Sequence, residues 1–205
     1  MAERAHPSDP GFEKKWCFRM RRGVVPWIYR STSPYRLAFE ERYRDASSMA
    51  EGLDVLDVPC GMGWGTSFLK QSKSLVGLDI DQQSIAEAQK RYGHIASFEV
   101  GSMSKLPISD KALDLIVCLE GIEHVPSDVA LSFLKESSRV LRNNGKLFIS
   151  SPFRRDGKHS GNPFHIKEYQ PQELFDILDP LFSIESHWEK NVSDLCVLYA
   201  VCVKR

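Results

Sequence analysis

From residue 53 onward, apolar positions along the chain switch repeatedly between two periods. Short continuous apolar runs, such as Leu75-Val76-Gly77-Leu78 and residues 112–119 and 146–151, read as strands buried on both faces. Between them lie stripes at helical spacing. Ile85, Ala88 and Tyr92 share one face of a helix that Asp81 starts and Gly93 stops. Val129, Phe133, Leu134, Val140 and Leu141 form a second stripe, from near Ser127 to Asn143-Asn144-Gly145. After an irregular stretch over 152–163, Pro171 opens a short helix. Two final strands, 181–187 and 195–203, lie too close in sequence for a helical crossover and are expected to form an antiparallel edge hairpin. The alternation predicts an α/β fold, doubly wound around a mostly parallel sheet of seven strands. Ahead of it, Asp9-Pro10 makes a helix start, with Phe12, Trp16 and Met20 along one side. The expected organisation is an N-terminal helical cap over 1–49 and a cofactor-binding domain over 50–205.

The first strand of that domain runs into Val58-Pro59-Cys60-Gly61-Met62-Gly63-Trp64-Gly65-Thr66, a glycine-rich turn expected to open a helix. Glycine lets backbone approach a ligand, and a helix start presents free N–H groups. Asp79 ends the next strand, at the distance where a ribose-binding carboxylate is expected. Two features turn the reading away from a dinucleotide: Thr66 stands at the third glycine position, and Asp57 sets a carboxylate at the loop mouth, where it would repel a pyrophosphate. A ligand with an adenosine, a ribose diol and a cationic amino-acid end fits, and S-adenosylmethionine has all three.

The chain resembles the class I S-adenosylmethionine-dependent methyltransferases in four motifs that follow in the family's order over roughly its last three quarters. They are Leu56-Asp57-Val58-Pro59-Cys60-Gly61-Met62-Gly63, Gly77-Leu78-Asp79-Ile80-Asp81, Glu120-Gly121-Ile122-Glu123-His124-Val125 and Arg139-Val140-Leu141-Arg142-Asn143-Asn144-Gly145-Lys146-Leu147. The resemblance implies a Rossmann-like fold and cofactor contacts at Asp57, Gly61, Gly63, Asp79 and Ile80, with Ser102, Met103 and Leu119 lining an adenine pocket. Pro59 stands where the family often has glycine, and Gly101-Ser102-Met103 where it often has Gly-Asp; a serine hydroxyl bonds adenine more weakly than a carboxylate would. Ser33-Pro34-Tyr35-Arg36-Leu37 resembles an element of ubiquinone-pathway O-methyltransferases whose arginine meets the methionine carboxylate. This makes Arg36 a cofactor candidate, with Arg42-Tyr43 as its rival.

Three candidates stand for the chemistry: His165, His124 and Glu120. The segment Asn162-Pro163-Phe164-His165-Ile166-Lys167-Glu168-Tyr169 resembles one in methyltransferases encoded with bacterial surface-polysaccharide enzymes, where it also follows Ser-x-Pro. It sits in a loop too long for a plain connector. A hydroxyl acceptor must lose its proton, and a positioned histidine contributes ~10² to 10⁴-fold. Each histidine could equally do no more than hold its own loop. Glu120-x-x-Glu123-His124 together with His165 also makes a mixed N/O donor set. A similar arrangement binds a divalent metal in the small-RNA 3′-end 2′-O-methyltransferases that the chain locally resembles, yet many metal-free members carry the same pattern, and no metal is expected.

Composition adds little except in charge and cysteine. The 205 residues suit a single α/β core. Twenty-seven basic and 27 acidic side chains cancel, but six basic residues stand against Glu13 alone over 11–30. That stretch suits an anionic acceptor, a peripheral membrane contact or a plain solvated face. Five cysteines, mostly in apolar contexts, do not read as a disulfide framework, and Cys60 is expected to pack rather than react. No apolar run approaches the ~20 residues of a membrane span, so a cytoplasmic location is expected. The leading expectation is an enzyme methylating an oxygen of a small-molecule or glycan acceptor, with nucleic acid not expected as a partner. A metal-dependent RNA 3′-end 2′-O-methyltransferase and a catalytically silent, cofactor-binding regulatory protein are the alternatives.

Overall fold

The computed structural model describes residues 15–19, 27–31, 34–192 and 195–205, with side chains from residue 37 where a helix or strand begins earlier. β1 (Lys15–Arg19) pairs antiparallel with β2 (Trp27–Ser31). This corrects the helix expected through Trp16. Trp16 and Phe18 alternate with charged Lys15 and Arg19, a period-two pattern that suits a strand. The expected helix start at Asp9-Pro10, together with Phe12 and Met20, lies outside the described residues.

α1 (Pro34–Ala50) leads into β3 (Asp54–Asp57), and β4 (Ser74–Asp79), α2 (Gln82–Tyr92) and β5 (Ser97–Val100) follow. β6 (Leu113–Leu119), α3 (Ser127–Val140) and β7 (Leu141–Phe153) continue the winding, and α4 (Pro171–Leu178) precedes β8 (Phe182–Val192) and β9 (Leu195–Lys204). The seven-stranded sheet has the order β5-β4-β3-β6-β7-β9-β8, parallel from β5 to β7 and antiparallel at β9 and β8. This is the expected fold, with its C-terminal hairpin. Asp81 caps α2 by accepting from the Ser84 N–H at 2.8 Å, and Gly93 ends it. One boundary moves: Leu141 leaves the α3 stripe and begins β7, so Asn143-Asn144-Gly145 lies inside the strand rather than at a helix end.

Strand periodicity sends alternate side chains to two cores. Val55, Leu115, Val117 and Phe148 pack with Phe39, Tyr43 and Ala46 of α1 and with Ile85 and Ala88 of α2. Leu56, Ile116, Cys118 and Leu147 pack with Phe133 and Leu134 of α3 and Leu174 and Leu178 of α4. With both faces covered, the central strands have no polar side to show. Cys60, Cys118, Cys196 and Cys202 are free and buried. No helix among the described residues is long and apolar enough to cross a membrane.

Candidate active site

At the end of β3 the chain turns back through Gly61 (φ +53°) and Gly63 (φ +76°), conformations that favour glycine. A Cβ on Gly63 would meet Ala88 and Phe98 at 2.9 Å, and one on Gly65 would stand 2.1 Å from the Tyr43 ring. The loop is therefore pressed between α1 and α2. Asp79 fixes it from the side, accepting the Gly61 N–H at 2.8 Å and the Asp81 N–H at 2.9 Å. The helix expected after the loop is a single 3-10 turn, Thr66–Leu69. Ser67 and Ser72 hydroxyls bond the Trp64 and Leu69 carbonyls, competing with helical bonding, and β4 begins at Ser74.

Asp57 is fully buried and accepts from the Thr66 hydroxyl at 2.6 Å and the Tyr43 phenol at 3.2 Å. Burial pushes its carboxyl up to about 7, against the pull of the Thr66 and Tyr43 donors and with help from nearby Asp79. Burial raises Asp79 as well. The Cys60 thiol is raised far out of the reactive range by burial and by these two carboxylates, which fits a packing role.

Beyond the carboxyl ends of β3, β4 and β6 opens a cavity of about 890 Å³. One half is walled by Gly61, Asp79, Ile80, Ser102, Met103 and Leu119. Ile80 is 72% exposed, an apolar side chain left bare at the cavity edge. From α1, Phe39, Arg42 and Tyr43 join the wall, with Phe39 stacked on Trp64 at 4.4 Å. Arg42 Nη1 reaches Glu120 Oε2 at 2.8 Å, and its guanidinium lies over the Phe39 ring. Glu120 closes β6 with φ +51°, a strained conformation for a side-chain-bearing residue, and donates its N–H to Ser150.

The other half holds the two histidines. Ile166 and Lys167 N–H groups donate to the Glu123 carbonyl at 2.7 and 3.1 Å, drawing the 154–170 loop onto the 3-10 turn Ile122–His124. His124 Nδ1 lies 2.9 Å from the Phe164 carbonyl and so donates to it. His165 Nδ1 donates to Glu168 Oε1 at 2.6 Å, both side chains nearly buried, and its Nε2 faces the Asn162 side-chain amide at 3.0 Å. Burial opposes the Glu168 charge, but the Ser160 donors and His165 outweigh it and hold that carboxyl below its ordinary range. Ligand atoms of Glu123, His124 and His165 all lie within 4.8 Å of one another.

Residues 55–145 match the methyltransferase domain family. Over those residues the chain resembles a methyltransferase domain. A probable S-adenosylmethionine-dependent methyltransferase of Mycolicibacterium smegmatis is 31% identical over 142 residues, covering 67% of this chain and 54% of the relative. A ubiquinone biosynthesis O-methyltransferase of Idiomarina loihiensis is 30% identical over 124 residues, 58% of this chain and 49% of the relative. The chain thus spans about half the length of the curated relatives it matches. The fold is also that of the PH0226 protein of Pyrococcus horikoshii, with a TM-score of 0.67 at 21% identity, covering 83% of this chain and 91% of that one. The cofactor that the domain and these relatives imply is S-adenosylmethionine.

The cavity offers groups of the kind that molecule needs: Gly61 leaves backbone open at the wall, Asp79 supplies a fixed carboxylate, and Ile80, Met103 and Leu119 supply apolar lining. Of the sequence candidates, Gly61, Asp79, Ile80, Ser102, Met103, Leu119, Glu120, His124 and His165 all reach the cavity wall. Asp57 and Gly63 stand one layer behind it. The Arg36 side chain lies outside the described residues, while its rival Arg42 is on the wall. Sequence reasoning passed over Phe39 and Asn162. Phe39, Arg42, Tyr43, Ala46 and Ala50 do recur at helical spacing, a signal of one inward-facing stripe.

Proposed function

We propose that this chain transfers a methyl group from S-adenosylmethionine to a hydroxyl oxygen of a small-molecule or glycan acceptor. The observation that carries the reading is the buried His165–Glu168 pair, set in the same cavity as the cofactor loop. The cofactor supplies a methyl group on a sulfonium, activated for in-line displacement. The protein's part is alignment, which is worth up to about 7–11 kcal/mol, and proton removal. Asp79 holds the ribose diol, while Ile80, Met103 and Leu119 enclose the base. With Nδ1–H given to Glu168, the lone pair of His165 is on Nε2, where the acceptor hydroxyl takes the place of the Asn162 amide. Glu168 then steadies the imidazolium that forms. The name of the Idiomarina relative supports oxygen as the target, and a glycan acceptor rests on the resemblance over 162–169 alone.

Calorimetry is the test. S-adenosylmethionine is expected to bind, and Asp79→Ala to weaken binding by roughly 10- to 100-fold, the worth of a charge-assisted bond of ~1.5–3 kcal/mol. Undiminished binding by the variant rejects the placement, and tight NAD binding rejects the cofactor reading.

The convergence of Glu123, His124 and His165 favours a second reading, a metal-dependent RNA 3′-end 2′-O-methyltransferase. Against it, Glu120 is turned to Arg42 instead of completing the donor set. Under the first reading, chelation leaves activity unchanged. Activity lost to a chelator, restored by a divalent ion and abolished by Glu123→Ala would select the second, as would RNA binding that weakens steeply with salt.

A further inference from the structure

Among the described residues, the Asp57 side chain accepts hydrogen bonds from two hydroxyls, and one of the two comes from outside the loop. Thr66 is nine residues away, on the turn that the loop feeds. Tyr43 is on α1, 3% exposed, with its ring lying where any side chain at Gly65 would have to go. The ring and the hydroxyl are used separately. The ring fills the space against Gly65 and packs on Phe39 at 4.9 Å, while the hydroxyl alone reaches through to Asp57. Burial and the neighbouring Asp57 carboxylate raise the phenol's pKa well above the ordinary value, against the pull of Arg42, so it stays protonated and donates here.

The charged and titratable groups around Asp57 are few. Tyr43 faces it from α1, Thr66 from the 3-10 turn, Asp79 from β4, Cys60 from the loop and Cys118 from β6. Both thiols are neutral because burial raises them, and Asp79 repels the Asp57 charge. No cation offsets the burial of this carboxylate within that set. Its ionised form depends on the two hydroxyl donors, of which Tyr43 ties it to a separate helix.

We propose that Tyr43 is a positioning residue for the cofactor: by donating to Asp57 through the loop, it keeps that carboxylate anionic beneath the cationic end of the cofactor and clamps α1 to the loop. The inference rests on the reading that S-adenosylmethionine occupies this cavity with its amino-acid end at the loop. It adds to that reading a dependence on α1, which no motif in the loop announces. Burial raises the pH at which the Asp57 charge appears, and the Thr66 and Tyr43 hydroxyls pull it back down.

The sign of the effect is set by the direction of the pKa shift. The Asp57 charge is lost as pH falls through its folded value of about 7. A donor that bonds only the charged form lowers that value, so deleting it raises the titration further. The experiment measures the affinity of S-adenosylhomocysteine, which carries the same ammonium and survives alkaline buffer, by calorimetry from pH 6 to pH 9. Tyr43→Phe keeps the ring and removes only the hydroxyl. For a rise of about one pH unit, the variant binds roughly tenfold more weakly than wild type at pH 6 and converges to within about twofold at pH 9. Thr66→Val is expected to show the same convergence and covers the case in which Tyr43→Phe does not fold. Asp57→Asn removes the titration and flattens the wild-type profile in this window. A loss of affinity equal at every pH, or profiles that superimpose, overturns the proposal and leaves Tyr43 as packing. Absence of wild-type binding at every pH is a separate result: it fails the cofactor reading itself, and this inference with it.

Discussion

Carboxylates in this fold are shifted in opposite directions, set by the balance between burial and the donors each one meets. Asp57 has hydroxyl donors and full burial, and its carboxyl rises to about 7. Asp54, at the other end of the same strand, meets Ser74, Lys73 and Arg142 near solvent and falls to about 2. Glu168, less deeply buried than Asp57, is bonded to Ser160 and His165, and it falls below the usual range. An anionic Glu168 beside His165 is what a proton-accepting histidine needs, since the carboxylate fixes the tautomer and stabilises the cation that forms. His165→Asn is therefore expected to leave cofactor affinity nearly intact and lower turnover by ~10²-fold or more, with kcat falling rather than KM rising. Calorimetry combined with a methyl-transfer assay on an accepted hydroxyl compound checks it. Wild-type turnover in the variant would shift the role to His124.

Among the elements, α1 carries the most that one motif cannot reveal. Its neighbours Arg42 and Tyr43 turn to two different strand ends: Arg42 to Glu120 at the end of β6, and Tyr43 to Asp57 at the end of β3. The helix can lie that close only because position 65 has no side chain. Gly65→Ala drives a methyl group into the Tyr43 ring, and overpacking of this kind costs typically 1–3 kcal/mol. The expected result is a lowered midpoint in urea unfolding together with weakened cofactor binding. Gly65→Ala combined with Tyr43→Ala, which empties the opposing space, is expected to lose less than the sum of the two single changes. A Gly65→Ala protein as stable as wild type would mean that α1 is free to withdraw from the loop.

Across the whole molecule, what could be read from the sequence was what neighbours in the chain decide. Strand and helix periods, the Asp81 cap, the loop and Asp79 are local patterns, and they account for the sheet, its antiparallel hairpin and part of one cavity wall. The misreadings come from places where two periods fit one stretch, as at Trp16 and Phe18, or where side chains compete for backbone, as at Ser67 and Ser72. Nothing local tells that a tyrosine fourteen residues upstream and a threonine on the following turn bond the Asp57 carboxylate. Sheet order, in turn, bears on how the chain is made. β9 lies inside the sheet between β7 and β8, yet it is translated after both. Until its residues leave the ribosome, β7 exposes an unpaired edge and β8 has no strand to join, so a nascent chain displays two open hydrogen-bonding rims at once. The parallel half has all its strands before β9 is made, whereas the β7 edge gains its partner only when β9 inserts.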